Sequence, residues 1–250
     1  MDIAANIEAA ECAPIAVDRD SLRHMPKEYQ DVVTHLMLVH TEGELTGADD
    51  YVQLFYPLAP NAYERMICCE RAAEEIDHYM LSAAVLAEIG LDTSYMLTQK
   101  IHERRYYTTE LVRDIRTWME RGIYSFLGEQ VVFDHLTEFA ECSYKPFADI
   151  FPKILRDERV HVAHGFRIVR DACRTDEGHA EAQAALNRLW PAVLDLFGRA
   201  NSERSKLYLK WGIRKTGNDE LRRAFSANMR PRLEALGLRV PPDVENRKFV

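Results

Sequence analysis

Two copies of a Glu-x-x-His motif, Glu75-x-x-His78 and Glu158-x-x-His161, lie inside long segments whose apolar residues recur with a helical period. Residues three apart share one face of a helix, so each motif directs a carboxylate and an imidazole to the same side. A further glutamate precedes each motif, Glu44 by 31 residues and Glu129 by 29. Each separation fits half of one long helix, a turn and half of the next helix. The sequence therefore predicts two similar antiparallel hairpins.

One glutamate from each of two helices and a Glu-x-x-His motif from each of two others form the ligand set of carboxylate-bridged di-iron or di-manganese bundles. Iron binds hard carboxylates together with imidazoles and needs an open position for dioxygen. Four carboxylates against two divalent ions give a nearly neutral core, which lowers the cost of burying these charges. We therefore predict six metal ligands, which would also be the catalytic set, with Glu75 and Glu158 bridging: Glu44, Glu75, His78, Glu129, Glu158 and His161.

Chance is the competing explanation for the motifs. A single Glu-x-x-His is a weak signal, because about one such pair arises at random in a chain of this composition. A surface pair of this spacing also stabilises a helix slightly without any further role. Two such pairs in the middle of long predicted helices, each with a glutamate one hairpin upstream, favour the metal site.

Residues beside the motifs leave further choices open. Glu42 competes with Glu44, but the two are about 200° apart around a helix, so at most one faces the core. Glu74 and Asp157 immediately precede the bridging glutamates and could reach the other motif's histidine, or could be solvated helix charges. His40 lies one turn before Glu44 and could contact the site or be an ordinary hydrogen-bonded histidine.

The rest of the chain predicts an all-α protein. Its 250 residues, 47% hydrophobic and 29% charged, suit one large soluble domain, and strand-like alternation is scarce. We predict a ferritin-like four-helix bundle with additional helices at the middle and C-terminus. The predicted boundaries are 1–24 for a loosely ordered N-terminal segment, 25–238 for the di-metal helical domain and 239–250 for an extended tail. Helices are predicted from Pro26 and over 61–89, 122–142, 146–174, 179–199, 202–213 and 219–236, the last capped by Asn218.

Composition disfavours several classes of function. A formal net charge of -8 argues against nonspecific nucleic-acid binding, which requires a basic surface. The chain shows neither the features of a secretory signal nor an apolar run of membrane-spanning length, so we expect a cytoplasmic protein without a membrane partner. The five cysteines form no C-x-x-C pair, which disfavours disulfides, a zinc site and an iron–sulfur cluster. Because no G-x-G-x-x-G motif indicates a flavin or nicotinamide site, redox chemistry would need an external reductase.

One set of motifs spans most of the chain, from about residue 25 to 241. It comprises Met25-Pro26-x-x-Tyr29, Glu44-Leu45-Thr46-Gly47, Ala59-Pro60, Glu74-Glu75-x-x-His78, Tyr79-x-x-Ser82-Ala83-Ala84, Glu129, Ser143-Tyr144-x-Pro146-Phe147, Asp157-Glu158-x-x-His161-x-x-x-Gly165-Phe166, Trp211-x-Ile213-Arg214, Asn218-Asp219-Glu220-Leu221-Arg222 and Leu236-Gly237-Leu238-x-Val240-Pro241. These motifs resemble the phenylacetic acid catabolic family, in particular its catalytic A-type member, in a diverged form. The resemblance favours Glu44 over Glu42, because the distance from Met25-Pro26 matches without a gap.

The resemblance implies a non-haem di-iron monooxygenase or epoxidase. Its substrate would be an aromatic or unsaturated acyl-CoA similar to phenylacetyl-CoA, into which one oxygen atom from dioxygen is inserted. It implies two iron ions, with manganese or a mixed pair as alternatives, and a non-catalytic homologous subunit or a homo-oligomer as partner. The segment Arg104-Arg105-Tyr106-Tyr107 could bind a CoA phosphate or could be an ordinary solvated face. Residues 48–53 lack the family's Pro-Glu-Gly-x-Trp pattern, which predicts different substrate contacts.

Three alternatives stay open at this point. A related di-iron oxygenase could act on a free or carrier-bound small acid. A ferroxidase or metal-storage bundle would need no substrate cavity, although the long segment 92–121 and the helical C-terminal third exceed a minimal bundle. A scaffold subunit is the third, and the complete ligand set argues against it.

Overall fold

The computed structural model describes residues 16–105 and 110–249, and the regular secondary structure of this part of the chain is helical apart from one β-bridge between Val17 and Tyr144. None of the described helices is both long and apolar enough to cross a membrane. A π-helical turn, Tyr51–Phe55, continues α2, and two 3-10 turns occupy Ser94–Thr98 and Ile101–Glu103. The α-helices are α1 Arg19–Leu22, α2 Lys27–Asp50, α3 Tyr56–Leu58, α4 Ala62–Glu88, α5 Glu110–Arg113, α6 Trp118–Phe139, α7 Lys145–Ala148, α8 Phe151–Ala172, α9 Asp176–Asp195, α10 Glu203–Lys210 and α11 Asn218–Glu234.

Local sequence signals determine where the long helices begin. The Asn61 side chain accepts a hydrogen bond from the backbone N–H of Glu64 at 2.9 Å and starts α4. Thr117 and Glu120 form a capping box, which starts α6 four residues earlier than its apolar pattern predicts. Pro152 lies in the first turn of α8, so the predicted fourth helix is split into α7 and α8.

The four long helices pair as two antiparallel hairpins, α2 with α4 and α6 with α8. In the first hairpin, a Cβ added at Gly47 would lie 3.0 Å from the Oε2 atom of Glu75. In the second, a Cβ added at Gly165 would lie 2.3 Å from the backbone nitrogen of Phe126. The second hairpin therefore requires glycine for close approach of its two backbones, whereas in the first the glycine leaves room for a functional side chain.

Two apolar clusters fill the two ends of the bundle. One contains Met37 of α2 and Phe151 of α8. The other contains Phe55, just after α2, and Trp190 of α9. Along α2, Glu44 lies between the two clusters and is itself buried. The carboxylates of the bundle are thus enclosed by apolar regions on both sides.

The C-terminal helices cover the second hairpin, with α9 and α11 packed on α6. Asn218 was predicted to cap α11, and this is wrong, because Gly217 occupies the cap position and Asn218 is the first helical residue. The described part of the predicted tail packs against the C-terminal helices. Asp243 accepts hydrogen bonds from Trp190 Nε1 at 3.1 Å and from Ser226 Oγ at 2.6 Å.

The N-terminal segment is docked from residue 16 onward. Val17 is buried, and its backbone N–H donates to the carbonyl of Ser143 at 2.8 Å. Lys145 returns a bond from its N–H to the Val17 carbonyl at 2.9 Å. Residues 16–24 are therefore docked on the bundle, and residues 1–15 lie outside the described part of the chain.

Candidate metal centre

Four buried side chains converge between the two hairpins: Glu44 from α2, Glu75 and His78 from α4, and Glu158 from α8. Each offers one ligand atom, and the four atoms lie within 4.8 Å of one another. The i, i+3 spacing places Glu75 and His78 on one face of α4, and the antiparallel pairing brings that face to the level of Glu44. The two remaining predicted ligands lie beside this group.

The two motif histidines present the same ring nitrogen to the carboxylates. Nδ1 of His78 lies 3.1 Å from Glu44 Oε2 and 3.6 Å from Glu158 Oε1. Nδ1 of His161 lies 3.4 Å from Glu75 Oε1 and 3.6 Å from Glu158 Oε2. Both Nδ1 atoms therefore face one shared space among the glutamates.

The opposite ring nitrogens are held by two further carboxylates. Nε2 of His78 donates to Asp157 at 3.1 Å, and Nε2 of His161 donates to Glu74 at 2.8 Å. Each carboxylate belongs to the helix that carries the other motif, so the two motifs support each other across the bundle. Such bonds fix the tautomer and orientation of a ligating imidazole. Here they keep both Nδ1 atoms directed inward.

Glu129 lies beside the group and is held through one of its oxygens. Its Oε1 accepts hydrogen bonds from Tyr51 at 2.7 Å and from Ser125 at 3.1 Å. Its Oε2, and Nδ1 of His161, are buried and form no hydrogen bond with any residue of the described ranges. A buried polar atom without a partner costs about 1–3 kcal/mol. Both atoms are of the types that ligate transition metals.

The pKa values of the group reflect its excess of negative charge. Burial raises the pKa of Glu75, and it raises the pKa of Glu158 well above its ordinary value. Burial alone would lower the pKa of His78, but the hydrogen bond and charge of Glu44 outweigh it and raise that pKa to about 9. Burial also opposes the charged form of His161, yet the charge of Glu158 keeps its pKa well above the usual value. The group favours positive charge in its interior, which two metal ions would supply.

The donor set therefore fits a pair of transition-metal ions. It offers four carboxylates and two imidazoles with inward Nδ1 atoms, and two of its buried atoms form no hydrogen bond with any described residue. The side chains that could hold the ions are Glu44, Glu75, His78, Glu129, Glu158 and His161.

A family model described as phenylacetic acid catabolic protein matches residues 19–248. The chain belongs to this family. Among curated proteins, the A component of 1,2-phenylacetyl-CoA epoxidase from Escherichia coli (strain K12) is 27% identical over 226 residues, which cover 88% of this chain and 72% of that protein. The resemblance of the sequence motifs to a diverged member of the family is thus confirmed.

Solved structures confirm the ferritin-like bundle. An R2-like ligand-binding oxidase variant with aerobically reconstituted Mn/Fe cofactor superposes with a TM-score of 0.63, at 14% identity, and covers 90% of this chain and 88% of that one. A second form of R2-like ligand-binding oxidase, with aerobically reconstituted metal cofactor after photoconversion, gives a TM-score of 0.60 with the same identity and coverage. At this identity the likeness establishes the fold alone.

Glu42 and Glu44, both on α2, face different surroundings. Glu42 is fully buried and accepts a hydrogen bond from the backbone N–H of Arg105 at 3.0 Å, away from the central group. Glu44 lies in the group, and His40 Nδ1 contacts its Oε1 at 3.0 Å. The structure thus places Glu44 at the centre and brings His40 into contact with it.

Arg104 is buried and takes part in contacts within the fold. Its buried guanidinium pairs with Asp49 at 2.7 Å and donates to the carbonyl of Met96 at 3.1 Å. Arg104 is therefore not part of a solvated face, because its charge has a carboxylate partner within the fold, and its contact with a CoA phosphate stays a prediction. The side chain of Arg105 is exposed and its contact with a CoA phosphate stays a prediction. The adjoining Tyr106 and Tyr107 lie outside the described residues.

A buried polar network lies behind Glu129 and was not predicted from the sequence. Arg121 donates to the Tyr51 hydroxyl at 3.5 Å and to Nδ1 of His164 at 3.2 Å. His164 in turn donates from Nε2 to Glu64 at 2.7 Å. The network joins side chains that are distant in sequence, and its only local signal is the position of His164 one helical turn after the second motif.

A cavity of about 1620 Å³ extends from the carboxylates along the space between α2 and α6. Glu44 and Glu129 line one part of it, and apolar side chains such as Val39 and Val132 line the adjoining walls. The cavity continues to the C-terminal helices, where Arg214 contributes to its wall. The arrangement places room for an organic molecule directly beside the candidate metal ligands.

Proposed function

We propose that this protein is a non-haem di-iron oxygenase that inserts one oxygen atom from dioxygen into an aromatic or unsaturated acyl-CoA. The observation that carries the proposal is the buried group of carboxylates and inward-facing imidazoles that adjoins a cavity large enough for an organic substrate. Membership of the phenylacetic acid catabolic protein family supports it. The choice of an acyl-CoA substrate and of epoxidation draws on the Escherichia coli relative alone.

The proposed ligand roles follow from which side chains share the central space. Glu75 and Glu158 would bridge two ions, since each lies near both hairpins. Glu44 with His78 and Glu129 with His161 would complete one ion each. Two iron ions would supply the reduction and cleavage of dioxygen that amino acids cannot perform, and manganese or a mixed pair would fit the same donors.

The chain itself positions these donors and controls their surroundings. Asp157 and Glu74 hold the two imidazoles with Nδ1 inward. Tyr51 donates to Glu129, and burial together with the nearby carboxylate keeps the pKa of Tyr51 well above its ordinary value, so the hydroxyl retains its proton. Apolar clusters on both sides limit the access of water to the group from the two ends of the bundle.

The proposed partners follow from the same reasoning. Electrons would come from an external reductase, because the sequence carries no flavin or nicotinamide motif. A non-catalytic homologous subunit or a second copy of this chain is the proposed protein partner, supported by the relative being one subunit of an epoxidase. The cavity beside the donors favours an oxygenase over a metal-storage bundle, which would need no such space.

Metal analysis followed by single-turnover reactions tests the proposal. Protein reconstituted anaerobically with Fe²⁺ should hold two ions per chain, consume dioxygen, and convert at least one of a panel of aromatic and unsaturated acyl-CoA thioesters to a product heavier by one oxygen atom. Labelling with ¹⁸O₂ should place the label in that product. Two bound ions with oxidation of a free or carrier-bound acid, but of no thioester, would replace the substrate class. Failure to bind two ions would overturn the proposal.

A further inference from the structure

Arg214, in the connection between α10 and α11, is a buried cation on the wall of the large cavity. It lies beside His135 of α6, which also lines the cavity. His135 is six residues after Glu129 on the same helix, a rise of about 9 Å. Arg214 therefore lies along the cavity from the carboxylates rather than among them.

The guanidinium of Arg214 is only partly used by the protein. Two bonds from Nη2 go to Asn218 Oδ1 at 2.6 Å and Ser205 Oγ at 3.0 Å, and Nη1 donates to His135 Nδ1 at 3.4 Å. The Tyr208 ring lies against it with its centroid at 5.0 Å. An arginine has five N–H donors, and three of them form these bonds. The buried Nε–H forms no hydrogen bond with any residue of the described ranges.

The acceptors around Arg214 are all neutral. Asn218 and Ser205 carry no charge, and burial and the adjacent arginine lower the pKa of His135 to about 3, so its ring is neutral too. Glu138 contributes a distant charge, but its carboxylate already accepts from Thr216 at 2.8 and 2.9 Å. No carboxylate of residues 16–105 or 110–249 forms an ion pair with Arg214.

Three other buried arginines form an ion pair with a carboxylate. Arg222 pairs with Asp219 at 3.1 Å, Arg71 pairs with Glu74, and Arg104 pairs with Asp49 at 2.7 Å. Arg121 forms none with the described residues, but the Tyr51 hydroxyl links it to Glu129. A buried charge without a nearby opposite charge is costly. Because Arg214 lies on a cavity wall, an anionic ligand in the cavity would supply that opposite charge.

We propose that Arg214 binds an anionic oxygen group, a carboxylate or a phosphate, of a mostly apolar molecule that extends through the cavity toward the glutamates. The proposal rests on the proposed function in that the same cavity holds the substrate. Charge-assisted hydrogen bonds from Nε–H and the remaining Nη1–H would anchor the anion. The walls on the way to Glu129, including Val132 and Val39, suit an apolar body.

Binding measurements on metal-loaded protein test the proposal with probes that differ in charge at one end. 4-Phenylbutyrate is compared with 4-phenylbutyramide for a carboxylate, and phenylacetyl-CoA with phenylacetyl-pantetheine for a phosphate. In at least one pair, calorimetry should show the anionic member binding at least about tenfold more tightly. The pair that discriminates identifies the source of the anion.

Two variants separate Arg214 from other cations of the wall. Arg214→Met should abolish the preference for the anionic probe and leave the affinity for the neutral probe within about threefold. The control is Arg188→Met, since Arg188 also lines the cavity but already pairs with Glu120 at 2.8 Å, and this variant should keep the preference. If Arg214→Met does not fold, Arg214→Lys should retain the charge preference while weakening it, because one ammonium replaces the fork of the guanidinium.

Equal binding of anionic and neutral probes in both pairs would overturn the proposal. A preference that persists in folded Arg214→Met would also overturn it. So would a change in the metal absorption spectrum when the carboxylate probe binds, because the carboxylate would then bind the ions and not Arg214. Metal content and dioxygen consumption of the same samples are measured separately. Loss of Arg214-dependent binding is therefore distinguishable from failure of the oxygenase proposal.

Discussion

The two hairpins carry the same ligand pattern but hold their residues differently. In the first hairpin, Glu44 contacts His40 and His78 and belongs to the group of atoms within 4.8 Å. In the second, Glu129 is bonded by Tyr51 at its outer oxygen, and its other oxygen forms no hydrogen bond with any described residue. The first half is thus assembled by contacts among its own donors, whereas Glu129 in the second is held by Tyr51 and Ser125, which are not candidate ligands. The two ion positions should therefore differ in affinity.

Removal of a shared ligand should have the largest effect, because it affects both halves at once. Glu75→Ala should reduce the metal content from two ions per chain to less than about one, while far-ultraviolet circular dichroism keeps most of the helical signal. Inductively coupled plasma mass spectrometry gives the metal content. Glu70→Ala, an exposed glutamate on the same helix, is the control and should bind two ions. Two ions retained in Glu75→Ala would remove Glu75 from the ligand list.

Replacing glycine by alanine should lower the free energy of unfolding more in the second hairpin than in the first. Gly165→Ala places a Cβ against the backbone of Phe126, which cannot move aside, and should cost about 3 kcal/mol. Gly47→Ala meets only the end of the flexible Glu75 side chain and gains helix propensity, so its stability should change by less than about 1 kcal/mol. Urea unfolding of the metal-free proteins measures both. Equal costs would contradict the difference between the interfaces.

The helices, and the helix faces on which the motif residues lie, could be predicted because both follow from local periodicity. A 3.6-residue repeat places Glu75 and His78 on one face, and the upstream spacing of Glu44 sets the level at which the hairpin brings them together. The assignment of the ligands themselves stays a prediction until metal is measured. The local pattern gave a wrong prediction at Asn218, whose side chain accepts a hydrogen bond from Arg214 instead of capping its helix.

The residues that distinguish the halves could not be predicted, because their roles depend on tertiary contacts. Tyr51 reaches Glu129 from a π-helical turn that no sequence pattern indicated. Arg121 is fully buried although its residue type usually lies at the surface. Arg104 was expected at the surface, as a ligand contact or as part of a solvated face, but the fold buries it beside Asp49. Charged residues are the least predictable, since a partner distant in sequence decides whether they face solvent.

Loosening the second half alone should weaken the binding of one of the two ions. Tyr51→Phe removes the 2.7 Å hydrogen bond to Glu129 and should lower the affinity for the weaker ion about tenfold, with the tighter ion unchanged. Competitive titration with a chelating indicator resolves the two binding steps. Tyr79→Phe is the control, because its hydroxyl donates to the carbonyl of Thr93. An equal loss at both steps would show that the halves are not independent.

The support of the second half should also give the protein a dependence of stability on pH. His164 accepts from Arg121 and donates to Glu64, and burial together with Arg121 lowers its pKa to about 4. The folded state therefore binds fewer protons at this site than the unfolded state, where the pKa is about 6.5. Stability should fall as the pH falls below about 6.5, by about 1 kcal/mol per histidine between pH 6.5 and 5.5.

Urea unfolding at pH 7 and pH 5.5 compares the wild type with His164→Gln, at equal metal content. The variant should lose about 1 kcal/mol less than the wild type over this interval, because glutamine has no proton to gain. His102→Gln, at an exposed position, should follow the wild type. The interval lies above the ordinary pKa of glutamate, so the titration of Glu64 does not contribute. Parallel losses in wild type and His164→Gln would show that the imidazole already exchanges protons with solvent, and that the second hairpin is less sealed than its contacts indicate.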